Sequence, residues 1–153
     1  MLEPQIEQDL KAALLASDKT KAETLRGLKS ALLYAKVEKG KRESGLTQEE
    51  EIAVLSREAK KRAESAELYL KGGAKDRAET ELTEKAIIDA YLPKQLSEDE
   101  LRPVILETIE QTGINDLSQM GAIIAEVKKR TAGSADGATI ARLVKEALSQ
   151  WLY

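Results

Sequence analysis

From end to end, the apolar residues of this chain recur at intervals of three and four, a period that belongs to amphipathic helices. Leu25, Leu28, Leu32 and Ala35 form one such stripe. Ile52, Leu55, Ala59, Ala66 and Tyr69 or Leu70 form another, and Ile140, Leu143, Val144, Ala147 and Leu148 a third. No segment alternates with period two or concentrates β-branched residues, so no sheet is expected. The fold class is therefore all-α and multihelical, with about seven helices. Phe is absent and there is one Trp, so the core must be built from Leu, Ile, Val and Ala.

Capping signals place the helix ends. Pro4 suits the first turn of helix 1, whose stripe is Leu2, Ile6, Leu10 and Leu14. Asp18 is placed to cap helix 2, in which Gly27 costs roughly 1 kcal/mol against Ala and implies a close helix crossing. Thr47 to Glu50 and Ser97 to Glu100 both read as capping boxes. Gly72-Gly73 ends helix 3, and helix 4 turns Ala78, Leu82, Ala86 and Ile87 or Ile88 inward. Asn115-Asp116 opens helix 6, and Asp136 is expected to cap helix 7. The break at Tyr91-Leu-Pro-Lys-Gln-Leu96 is expected to separate an N-terminal four-helix region, 1–92, from a C-terminal three-helix bundle, 97–153.

The chain has neither Cys nor His. Disulfides, thiolate metal sites and Cys nucleophiles are excluded, and so is the side chain that most readily titrates near neutrality. The acidic clusters Glu49-Glu-Glu51 and Glu98-Asp-Glu100 lie in first turns, where they complement the helix dipole. No phosphate-cradling glycine loop follows a strand. No catalytic residue, metal or cofactor is therefore expected, and the protein is expected not to be an enzyme. There is no signal-peptide pattern and no membrane span, so the expected location is cytoplasmic.

Net charge is −3, but it is polarised along the chain. Residues 19–42 hold eight Lys/Arg and two Glu, whereas residues 97–153 hold nine Asp/Glu and six Lys/Arg. Lys128, Lys129 and Arg130 end helix 6 beside the turn Gly133-Ser-Ala-Asp-Gly137. Clustered cations beside a glycine turn and a helix N-terminus can grip phosphate. A second basic patch joins Lys36 and Lys39 to Arg57, Lys60 and Lys61, of which the last three share a helix face. Both clusters can also be read as solvated faces paired with Glu. Aromatics are too few for a base-stacking platform.

Several segments together resemble the GatB/YqeY family. They are Lys11 to Ala16 followed by Thr24-Leu-Arg-Gly-Leu-Lys-Ser-Ala-Leu32, then Glu58-Ala-Lys-Lys-Arg62, Ala90-Tyr-Leu-Pro-Lys-Gln-Leu-Ser97, and Gly133-Ser-Ala-Asp-Gly137 with Leu143-Val-Lys145. The resemblance spans nearly the whole chain, and its most specific part is the order and spacing of the last two motifs. It implies a small helical protein similar to the C-terminal tail of the B subunit of the tRNA-dependent amidotransferase. That tail is implied to contact the tRNA body, while the amidation chemistry lies elsewhere. On this basis the chain is expected to be a non-catalytic accessory module for tRNA or another structured RNA. Lys128, Lys129, Arg130, Gly133, Gly137 and Lys145 are its expected contacts. An aminoacyl-tRNA synthetase or amidotransferase is a candidate protein partner. Ser134 departs from the family pattern, in which that position is often basic. The alternative is a protein–protein adaptor with no direct RNA contact, a choice that the pI near 5.3 keeps open.

Overall fold

A computed structural model describes residues 1–150; residues 151–153, the end of the expected C-terminal bundle, lie outside the described part. Among the described residues are seven α-helices and no strand. They are α1 (Leu2–Leu15), α2 (Lys19–Glu38), α3 (Gln48–Lys71), α4 (Lys75–Asp89), α5 (Glu98–Thr112), α6 (Met120–Thr131) and α7 (Gly137–Gln150). A short 3₁₀ turn, Leu117–Gln119, leads into α6. The chain is all-α, and it divides into two compact units, Met1–Leu92 and the part from Pro93 onward.

In the first unit the core is aliphatic, as the composition requires. Ile6 and Leu10 of α1 meet Leu25, Leu28 and Leu32 of α2, Leu55 of α3 and Ile88 of α4. Leu14, expected in the same stripe, is 48% exposed, and Ala13 is buried instead. The reason is geometric. A spacing of four overshoots a 3.6-residue turn by about 40° per step, so three steps rotate Leu14 away from the face that Leu2 begins. On α4, Ala78 and Ile88 are buried, but Leu82 and Ala86 face solvent. Of the pair at the end of α3, Leu70 is exposed and Tyr69 is the more sheltered.

The caps largely follow their sequence signals. The Asp18 carboxylate accepts the Lys21 N–H, and Thr47 and Glu50 form a full reciprocal capping box. Ser97 forms half of one: its hydroxyl accepts the Glu100 N–H but donates to the Glu100 carboxylate, which therefore does not cap the backbone. Asp116 caps the 3₁₀ turn rather than α6 itself, and the Ser118 N–H it accepts holds its carboxyl below the usual range.

Glu51 departs from the expected role of the acidic run in α3. It is fully buried, and its carboxylate leaves its own helix to cap another. One oxygen accepts the Glu3 N–H at 2.8 Å and the other the Leu2 N–H at 3.3 Å. No side chain at Met1 caps α1, so Glu51 supplies the acceptor that the orphan N–H groups need.

Gly27 also differs from expectation. It is exposed, and a Cβ there would meet only the Arg62 guanidinium, at 3.7 Å. No helix crosses closely at this point, so the glycine weakens α2 without a packing return. Gly27→Ala is expected to raise stability by about 1 kcal/mol, read as a higher thermal midpoint; an unchanged or lower midpoint would show that the glycine does not weaken α2.

The second unit buries Leu101, Ile105 and Ile109 of α5 against Ile123 and Val127 of α6 and Ile140, Leu143, Val144 and Leu148 of α7. Pro103 sits inside α5 and removes one backbone donor. The carbonyl it leaves unpaired is that of Asp99, one turn earlier, on the exposed side of the helix start.

Candidate nucleic-acid interface

The turn between α6 and α7 is built by backbone conformation. Ala132 and Gly133 both adopt positive φ, 45° and 87°, so the chain leaves α6 through two left-handed residues. Gly133 does this at little cost; Ala132 carries the steric cost of a Cβ there. Asp136 then caps α7: its carboxylate accepts the Thr139 N–H at 3.3 Å, as its place before the stripe implied. Asp136→Ala is expected to cost about 1 kcal/mol of stability, measured by thermal or urea unfolding. An unchanged midpoint with lost RNA binding would make it a contact residue instead.

The turn does not stand alone. The Leu96 N–H donates to the Ser134 carbonyl at 2.7 Å, and the Gln95 side-chain amide donates to the Gly133 carbonyl at 3.2 Å. The Pro-Lys-Gln-Leu segment before α5 is thus pinned along the glycine turn. Two motifs separated by some forty residues are one local structure. This join was not read from the sequence, because three of its four partners are backbone groups with no side-chain signature. It also places Lys94, an exposed cation outside the expected set, next to Gln95 within the pinned segment.

The structure brings together only part of the expected set. A Cβ on Gly137 would lie 3.2 Å from Lys128 Cε and 3.3 Å from its Nζ. The Lys128 ammonium therefore lies over the first residue of α7, in space that the glycine leaves open. Lys128 and Lys129 are exposed and form no ion pair among the described residues. Arg130 differs: it is committed to Glu126 at 3.2 Å and to the Gln111 side chain at 2.7 Å. Lys145 is exposed but stands eight residues along α7, roughly 12 Å from Gly137.

The second basic patch is largely neutralised. Lys36 pairs with Glu3 at 2.5 Å, and Lys39 with Glu50 at 2.9 Å. Glu50 also binds Lys41 at 2.6 Å. That contact foremost, then the Thr47 N–H and Lys39, holds its carboxyl far below the ordinary range. Lys61 contacts Glu58 at 3.2 Å, while Arg57 and Lys60 make no salt bridge among the described residues.

Two helical units, one carrying a lysine-flanked glycine turn, define an all-α protein whose specific motifs converge at a helix–helix junction. The family model for YqeY-like proteins matches residues 3–148, and the chain belongs to that family. No curated protein matches it. Among the described residues no group of acidic side chains could hold a metal ion, and no helix is long and apolar enough to cross a membrane.

Proposed function

We propose that this protein is a non-catalytic accessory module that binds tRNA or another structured RNA through the α6–α7 turn, in the cytoplasm. The observation that carries the reading is Lys128 laid across Gly137 at the start of α7. An ammonium, a helix N-terminus and an open backbone meet within one turn, and that combination suits a phosphate. Lys129 supports it as a second uncommitted cation, and Lys94 as a third within the pinned segment. Asp136 opposes part of this field, but its carboxylate is turned to the Thr139 N–H. The amidotransferase tail that the sequence resembles supports tRNA over other RNA and makes an amidotransferase or a synthetase a reasonable companion.

The test is binding of fluorescently labelled bulk tRNA across a salt series. Phosphate contact predicts that log Kd rises linearly with log salt. Affinity without salt dependence, or no binding at low salt, overturns the reading. The adaptor alternative draws on a different observation: Leu33, Tyr34 and Val37 are all at least half exposed on α2.

A further inference from the structure

A groove of about 500 Å³ runs between α2 and α3. Its floor is Gly27, Ala31, Ala35 and Val54, all small or apolar. One wall is Tyr34, which is 72% exposed. The other is α3, with Arg57 and Lys61. On the outer face of α2, Leu33 and Val37 extend the apolar surface beside Tyr34, 50% and 58% exposed. From Gly27 to Glu38 the groove follows α2 for roughly 17 Å, about three helical turns.

The charges along the α3 wall are unequal. Glu58 is the acid there, and both its oxygens are taken, one by Lys61 at 3.2 Å and the other by Arg62 at 2.5 Å. Arg57 and the adjacent Lys60 have no carboxylate within ion-pair distance among the described residues. Glu38 lines the opposite wall and forms no such pair. The α3 wall therefore offers unsatisfied positive charge beside an exposed apolar strip.

We propose that this groove binds an amphipathic helix of a partner protein, one that lays an apolar stripe on Tyr34 and Val37 and presents Asp or Glu to Arg57 and Lys60. Apolar exposure decides between an acidic helix and a nucleic acid. RNA would use the cations but leave Leu33 and Val37 in water, and the lining offers only the Ser30 and Tyr34 hydroxyls as neutral polar side chains to read a base edge. A helix with apolar residues three and four apart and acids on one flank uses both features. The site is independent of the α6–α7 turn, so RNA binding there can fail without touching this inference.

The experiment is in-cell photocrosslinking of the full chain with a benzophenone amino acid at Tyr34, followed by sequencing of the crosslinked peptide. The expected product is a segment of another protein with a helical apolar period and flanking Asp/Glu. As a synthetic peptide, that segment should bind the purified protein, and Arg57→Glu with Lys60→Glu should weaken it at least tenfold. Lys128→Ala with Lys129→Ala should leave it unchanged. Both replaced pairs are exposed, so circular dichroism should show the fold retained. A ribonuclease-sensitive adduct, a crosslink to a second copy of this chain, a segment without acids, or no crosslink would each overturn the proposal.

Discussion

Glu51→Ala is expected to destabilise the first unit by about 3 kcal/mol. The figure combines two losses. A charged acceptor for two N–H groups disappears, and the first turn of α1 is left with orphan donors next to the core. The buried volume of the side chain also becomes a cavity beside α1. For a unit of this size, 1 kcal/mol moves the thermal midpoint by about 4–8 °C, so the drop should exceed 10 °C. Glu51→Gln is a sharper probe. Its carbonyl can accept one of the two N–H groups, but its amide brings donors where acceptors are needed. It should fall between wild type and Glu51→Ala, and amide exchange should quicken first in α1. A midpoint unchanged in Glu51→Ala would show that α1 does not depend on this carboxylate.

Glu51 also shows where the sequence stops being informative. Helix existence and type were legible because every segment repeats the same apolar period, and Thr47, Ser97 and Asp136 announced their helix starts. What Glu51 does was not legible. Three successive glutamates in a first turn look alike, yet Glu49 is exposed, Glu50 closes the local capping box, and Glu51 reaches a helix 48 residues away. Only tertiary packing separates them. The α1 stripe failed for a different reason, since a four-residue spacing drifts around the helix and Ala13 overtook Leu14. At the candidate site, the cluster Lys128 to Arg130 was visible as charge, but its division was not. Arg130 is tied down by Glu126, one turn back, and by Gln111 on another helix, while its two neighbours are not. The contact between Gln95-Leu96 and the glycine turn left no trace beyond two motifs in a fixed order.

That division sets the second large effect. Replacing Lys128 and Lys129 together with Ala is expected to weaken tRNA binding at least about tenfold near 0.1 M salt, and to flatten the salt slope by roughly 1.4–1.8. The slope follows from losing two phosphate contacts, each worth about 0.7–0.9 in the logarithmic plot. Arg130→Ala should change the slope little, because a guanidinium held by Glu126 and Gln111 must first give up those partners to meet a phosphate. The fold should survive the double replacement. Both side chains are exposed and lie outside the Ile123 and Val127 stripe. The helix does lose two cations from its last turn, which at most lowers stability by about 0.3–1 kcal/mol each. A folded double variant with wild-type affinity and slope would remove the α6–α7 turn as the RNA contact. A slope that flattened only on Arg130→Ala would mean that the Glu126 and Gln111 contacts yield to the ligand, and that the site is centred on α6 alone rather than on the start of α7.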